Sequence, residues 1–451
     1  MTRAGPAQAV VVGGGITGLA CAYTLQRRAR AVGRPLNITL LEQAERLGGC
    51  ILTERVEDCL IEGGADSFLA EKPWAGELCA ELGIEERLIG TEPDSRRVYV
   101  LSGRRLHPLP EGFVLAVPTA FGPFLASSLF SWPGKLRMVL ERVVPPRREA
   151  GDESLASFVR RRMGREALEK VGEPLVAGIH AGDPETMSLQ ATFPRLLDLE
   201  RRYGSVIRGM RARQREMQAQ EAEGRPASLF LTLAGGLGEL VDRLVAAIDG
   251  VDVRLGTEVE AVTPRPSGGW HLEVSGAVPL EADAVALAVP SWQAARLLAG
   301  ADSALAALLE PIPWVSTANV AAAWPTDDVG RALDGSGFVV ARGEGRSITA
   351  CTWSSVKFAG RAPAGRVLLR AFVGSAKQEE VAELPDEALV ERVRADLADI
   401  LDARGEPLFI RLYRWPRAMP QYTMGHLERV AAMEAACERH PGLVLSGASY
   451  R

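Results

Sequence analysis

Residues 9–18 read AVVVGGGITG and residues 38–42 read ITLLE. The apolar, β-branched run 9–12 has the composition of a buried parallel strand. Gly13, Gly15 and Gly18 follow with G-x-G-x-x-G spacing, and residues 19–28 (LACAYTLQRR) read as a helix. In such a loop the first glycine permits a tight turn. The second lets a pyrophosphate approach the backbone, and the third lets helix and strand pack closely. The helix N-terminus offers free N–H groups and a positive dipole end to that anion. A second strand, 38–41, ends in Glu42, 24 residues after Gly18. A carboxylate there is placed to accept hydrogen bonds from ribose hydroxyls. Strand, loop, helix, strand and acid in this order point to a bound dinucleotide, where the glycine pattern alone does not.

The chain of 451 residues has room for about three domains. Its apolar fraction of 47% and charged fraction of 24% are those of an ordinary globular protein. A net charge of −5 leaves no electrostatic footprint for nucleic acid. Cys21, Cys50, Cys59, Cys79, Cys351 and Cys437 form no CxxC pair and the five histidines are scattered, so no metal site is expected. Isolated thiols and an N-terminus without an apolar stretch suggest a cytoplasmic protein without a signal peptide.

Residues 113–132 (FVLAVPTAFGPFLASSLFSW) run for 20 positions without a charge, about the length that spans a bilayer. Pro118, Gly122 and Pro123 interrupt them, which speaks against one spanning helix. Two short helices packed inside the protein or lining an apolar cavity are expected, and the alternative is peripheral contact with a membrane surface.

Further glycine loops follow the first. Residues 45–49 (ERLGG) put Arg46 beside Gly48 and Gly49, and 62–68 read EGGADSF after a hairpin over 51–61. Their recurrence suggests a cofactor larger than one loop can hold. Residues 74–82 read as a short helix closed by Gly83, and 98–101 with 105–110 as a hairpin. The region from 113 to about 210 reads as largely helical, followed by a polar run at 211–225. At residues 231–248 strand, glycine turn and helix return, as in the first domain. Strands are then expected at 251–255, 258–262, 270–274, 284–288, 338–341, 348–352, 367–373, 409–413 and 443–445. Helices are expected at 386–401 and 426–438.

These loops together resemble the FAD-dependent monoamine-oxidase-like superfamily. Within it, GGADSF, GKLRMVLERVVPP (134–146), EPLVAGIHAGDPETMSLQATFP (173–194), TLAGGLGELVDRL (232–244), ITACTWSSVKF (348–358) and RWPRAMPQYTMGH (414–426) are similar to the porphyrinogen oxidases of haem synthesis. The GIHAGD, ACTW and MPQY runs most resemble the bacterial coproporphyrinogen III oxidase branch. These runs span nearly the whole chain.

The resemblance implies an α/β fold: a Rossmann-type FAD-binding domain with an inserted α+β substrate domain and a helical subdomain. The expected division assigns 1–95, 228–295 and 411–451 to the FAD domain and 96–112 and 296–410 to the substrate domain. It leaves 113–210 for the helical part and 211–227 for a connector. The implied activity is removal of six hydrogens from coproporphyrinogen III, with O₂ as acceptor, H₂O₂ as product and hand-off to the next haem-pathway enzyme. Protoporphyrinogen IX oxidation is the near alternative, and a flavin amine oxidase or desaturase the more distant one. Because the flavin performs the hydride chemistry, no catalytic side chain is assigned.

The FAD-contacting positions so implied are Gly13, Gly14, Gly15, Ile16, Thr17, Gly18, Glu42, Arg46, Gly48, Gly49, Gly63, Gly64, Ala65, Asp66, Ser67, Val259 and Trp415. For the substrate they are Arg96 and Lys72, toward propionates, and Gly178, whose carbonyl would face pyrrole N–H groups. Arg342 and Lys357 are further cations that a tetracarboxylate could engage, while His107 and His180 are expected to pack or hydrogen-bond rather than catalyse. The family also carries a glycine-rich loop and a last flavin-facing helix after the stretch matching 446–451. With the sequence ending at Arg451, impaired FAD binding is expected, and a folded chain without turnover is the non-enzymatic alternative.

Overall fold

A computed structural model describes residues 6–114, 116–147, 149, 151–221 and 228–450. Three separated parts of the chain meet in one five-stranded parallel sheet. Its order is Asp252–Arg254, Leu36–Leu41, Ala7–Val12, Ala284–Leu287, Leu443–Leu445. Ala7–Val12 lies between its neighbours, with Ala9 opposite both Ile38 and Ala284. Strands buried on both faces need continuous apolar runs, and Val10, Val11, Val12, Leu40 and Leu41 are all buried. The helix Ile16–Ala31 covers one face through Leu19 and Ala22. The other face is covered by the antiparallel sheet Val259–Pro264, Trp270–Val274, Leu280–Ala282 together with the helices Ser291–Leu298 and Ser303–Leu309.

A seven-stranded mixed sheet forms the second layer system, in the order Phe409–Pro420, Trp314–Pro325, Arg366–Val373, Ile348–Trp353, Gly337–Val340, Val98–Ser102, Arg105–Pro108. The helix Asp386–Leu401 buries Leu389, Val393, Leu397 and Leu401 against one face. Val100, Val339, Ala341 and Ala350 of the other face pack on the helical region. There Ser154 caps Leu155–Arg162 by accepting from the Ser157 N–H. A helical run from 165 to 180 follows, with a π-turn at Leu168–Gly172.

Several expectations differ in detail. Residues 113–132 form a small hairpin, Phe113–Val114 with Val117–Pro118, then the short helix Phe121–Ala126, rather than two helices. Phe113, Phe124 and Phe130 gather with ring centroids 5.5–6.1 Å apart, so the phenylalanines at these three positions of the uncharged stretch are core. Among the described residues, no helix is long and apolar enough to cross a membrane. Strand Phe230–Leu233 pairs antiparallel with Phe68–Leu69 and Leu88–Gly90 instead of joining the parallel sheet. The helix Val206–Glu221 runs through the boundary expected at 211, and the strand Phe409–Pro420 through that at 411. Residues 222–227 of the expected connector and Arg451 lie outside the described residues.

Candidate active site

The first glycine loop lies at the carboxyl edge of the parallel sheet, where open α/β sheets bind ligands. Gly13 has φ +103°, and a β-carbon there would lie 2.5 Å from the Ala288 carbonyl oxygen. One on Gly18 would lie 1.8 Å from the Gly13 carbonyl oxygen, so both glycines serve the fold. Gly15 is different. It has φ −69° and precedes Ile16–Ala31 with no side-chain cap and no acid in the first turn. A β-carbon on it would meet nothing nearer than the Gly49 Cα at 3.8 Å. An uncapped helix start beneath open space has the free N–H groups to seat an anion. A β-carbon on Gly447, after the last parallel strand, would lie 3.8 Å from Thr17 Oγ1, so Gly447 borders it.

Glu42 closes the far side. Its carboxylate accepts the Gly14 N–H at 2.6 Å and the Ala44 N–H at 2.8 Å. These bonds fix the side chain beside the loop while each oxygen keeps a lone pair for a further donor. The Thr257 N–H donates to the Glu42 carbonyl at 2.8 Å, which brings the strand containing buried Val259 alongside. The second loop crosses the first: the Gly48 N–H donates to the Gly14 carbonyl at 2.9 Å, and Gly15 bridges Gly48. The guanidinium of Arg46 spans the carbonyls of Leu47, Gly49 and Ile51, so it braces this loop from its exposed side.

The third loop packs against the second. A β-carbon on Gly64 would fall 1.7 Å from the Cys50 carbonyl oxygen, and the Ala65 N–H donates to that oxygen at 3.2 Å. From the broad sheet, the Trp415 indole N–H and the Asn319 amide each reach the Gly63 carbonyl at 2.8 Å. Arg370 donates to the Gly64 carbonyl. Lys357 donates to Asp66 at 2.9 Å, and Ser67 Oγ donates to the same carboxylate at 2.7 Å. Burial alone would raise the Asp66 carboxyl, but Lys357 and Arg370 outweigh it and hold Asp66 below the usual carboxylate range.

Asn319 and Arg370 were missed by sequence reasoning. The available signal was a single amide in WVSTANVAAAWP and the second arginine, in mid-strand, of RVLLRAFV, polar residues that apolar strands do not bury without partners. The glycine turn at 235–238 is not a second anion cradle. Glu62 and Thr53 already accept the Leu237 and Gly238 N–H groups at its helix start, each at 2.8 Å.

On the substrate side, Arg96 is exposed and follows buried Ser95. Neither Arg96 nor Lys72 has an ion-pair partner among the described residues. Burial and the Lys72 charge push His180 down to about 4, so that ring is neutral at physiological pH. Gly178 lies within Glu173–His180, where a β-carbon would approach Ala350 Cβ at 3.2 Å and Val339 Cγ1 at 3.4 Å. Its lack of a side chain lets the helix close on the sheet. Arg342 is engaged by Glu173 at 2.8 Å, as Lys357 is by Asp66. His107 bridges Ser128 Oγ and the Ser102 carbonyl at 2.9 and 3.0 Å, a structural role. Among the described residues, no three His, Cys, Asp or Glu side chains gather as a metal site would require.

A profile of the flavin containing amine oxidoreductases matches residues 16–451. The chain is 37% identical over 449 residues to the coproporphyrinogen III oxidase of Bacillus subtilis, covering 99% of this chain and 94% of that protein. It is 30% identical to a chloroplastic protoporphyrinogen oxidase of Nicotiana tabacum, over 97% and 81% of the two chains. A solved structure from Exiguobacterium sp. 255-15, 35% identical, superposes with a TM-score of 0.86 over 99% of this chain and 94% of that one.

Proposed function

We propose that the chain, which belongs to the flavin-containing amine oxidoreductase family, oxidises coproporphyrinogen III to coproporphyrin III. Its cofactor is FAD, and the residues present fit that group: an open, uncapped helix start at Gly15, a fixed carboxylate at Glu42 and three interlocked glycine loops. When bound, FAD supplies the two-electron hydride chemistry. Six hydrogens leave the substrate in three such steps, three O₂ are consumed and three H₂O₂ form.

The chain's own part is binding and orientation. The Gly15–Thr17 helix start would hold the pyrophosphate, and Glu42 the ribose. Gly48–Gly49 and Gly63–Ser67, with Trp415 behind them, would line the flavin side. Arg96 and Lys72, without an ion-pair partner among the described residues, would hold propionates. Gly178 lets the helix Glu173–His180 lie close on the sheet, which brings its backbone toward the macrocycle. Neutral His180 contributes no acid at physiological pH. The observation that carries the choice of substrate is the 37% identity, over nearly the full length, to a coproporphyrinogen III oxidase.

The test is aerobic turnover of FAD-supplemented protein on coproporphyrinogen III and protoporphyrinogen IX, followed by porphyrin fluorescence. A preference for the tetracarboxylate is expected, and faster oxidation of protoporphyrinogen IX refutes the assignment. Among the described residues, peripheral membrane contact through 113–132 would rest on exposed Leu125 and Trp132, continued by Leu136, Leu140 and Val143. Co-sedimentation with anionic vesicles, lost in Trp132→Ser, tests that contact.

A further inference from the structure

Against the Gly63–Ser67 loop lies a cluster of three cations, Lys357, Arg361 and Arg370, and two carboxylates, Glu62 and the loop's own Asp66. Arg370 and Asn319 are each 4% exposed, Arg361 2% and Glu62 5%. Arg361 is consumed by its own surroundings, donating to Thr232 Oγ1 and the carbonyls of Leu233 and Ala234 at 3.0–3.2 Å. Arg370 instead reaches toward the loop. It donates to the Gly64 carbonyl and, through Nε, to Asn319 Oδ1 at 3.4 Å, and it stands 3.8 Å from Asp66. Asn319 in turn donates to the Gly63 carbonyl at 2.8 Å. Two consecutive carbonyls of one loop are thus fixed from two adjacent strands, whose register sets Asn319 opposite Phe372 and Ala321 opposite Arg370.

Burying a guanidinium in the middle of a sheet is costly, and an apolar residue of similar volume would commonly be as stable or more so. Its neighbours on the same sheet face indicate what the charge is for. Arg370 and Phe372 share that face by alternation. Phe372 packs against the helical core and pairs with Ala350, the residue that Gly178 closes upon. One rigid sheet therefore carries the substrate-side helix and grips the third glycine loop.

We propose that Arg370 is a positioning residue for the cofactor. Its guanidinium locks the 63–67 loop to the sheet that backs the substrate helix, and it leaves a surplus positive charge behind the flavin, with three cations facing two carboxylates. The inference rests on the reading that residues 63–67 contact FAD. A cation held there favours the cofactor form that has gained electrons, so Arg370 acts on reduction potential as well as on affinity.

The experiment uses full-length protein stripped of flavin and titrated with FAD, comparing wild type, Arg370→Gln, Arg370→Lys and Gly15→Val. Dissociation constants are read from flavin fluorescence and midpoint potentials by dye equilibration. Arg370→Gln is expected to bind FAD at least tenfold more weakly and to lose tenfold in preference for the reduced form, about 30 mV for a two-electron couple. Arg370→Lys is expected to restore the potential but not the affinity, since lysine keeps the charge and loses the planar fork. Wild-type affinity and potential in Arg370→Gln overturn the proposal. If that variant does not fold, wild-type affinity in Arg370→Lys overturns it equally. Undiminished FAD binding in Gly15→Val refutes the cofactor site itself. Loss of binding in Gly15→Val with Arg370→Gln unaffected overturns only the role of Arg370.

Discussion

Two single-glycine substitutions in the first loop should separate fold from function. At Gly18 an added methyl lands 1.8 Å from the Gly13 carbonyl oxygen, so the helix must move by more than an ångström. Overpacking of that size costs about 3 kcal/mol. At about 2 cal/mol/K per residue, a chain this long loses about 1 °C of Tm per kcal/mol. Gly18→Ala should therefore lower the melting temperature of the flavin-free protein by about 3 °C. At Gly15 the backbone angles suit any L-residue and the nearest atom is 3.8 Å away, so Gly15→Val should leave that temperature within about 0.5 °C, a surface-like change. Its cost falls on the cofactor. Obstructing two charge-assisted hydrogen bonds to a pyrophosphate, each about 1.5–3 kcal/mol, weakens binding at least about 100-fold. FAD at about 100 times the wild-type Kd stabilises the wild type by about 2.7 kcal/mol, and a 100-fold weaker binder by about 0.4 kcal/mol. Differential scanning fluorimetry of flavin-stripped protein should thus show an FAD-induced rise of about 3 °C in wild type and under about 0.5 °C in Gly15→Val. A Gly15→Val protein that melts several degrees lower without FAD, or that gains the full rise with it, refutes the assignment of Gly15 to the phosphates.

Other outcomes follow from the same geometry. Arg96→Ala should raise KM for the porphyrinogen about tenfold and change kcat less than twofold, as loss of ground-state binding to a propionate requires; steady-state kinetics decide it. His180 is held neutral in the fold, with its pKa lowered to about 4 from 6.5. Between these values the unfolded chain binds more protons than the native one, so this contribution is fully present above pH 6.5 and is lost as pH falls toward 4. It amounts to at most about 3 kcal/mol. Urea midpoints at pH 7 and pH 4.5 should therefore differ less in His180→Gln than in wild type. Glu141 and Arg162 form a fully buried pair, and Glu141 also accepts the Val206 N–H at 2.8 Å. Glu141→Ala should cost about 3–5 kcal/mol in chemical denaturation.

What was legible in the sequence was local. The Gly13–Gly18 loop, the helix after it and Glu42 lie on consecutive elements, so composition and spacing alone place them beside one another. Strands such as Trp270–Val274 and the helix Asp386–Leu401 were legible for the same reason, since their apolar periodicity reports which face is buried. The uncharged stretch 113–132 was read correctly as apolar but not in form. A hairpin and a stacked phenylalanine cluster share the composition of two packed helices, and only their neighbours distinguish them.

The sequence by itself determined the dinucleotide motif and, through resemblance along the whole chain, the family and its flavin. Tertiary structure decided what stands behind the third glycine loop: Asn319 and Arg370 grip Gly63 and Gly64 from 256 and 306 residues away. It decided too that Arg342 and Lys357 are spent on Glu173 and Asp66 while Arg96 and Lys72 stay free among the described residues. The physical reason is that a charge's availability depends on which opposite charge the fold brings within a few ångströms, and Coulomb interaction at that range follows distance in space and not separation along the chain.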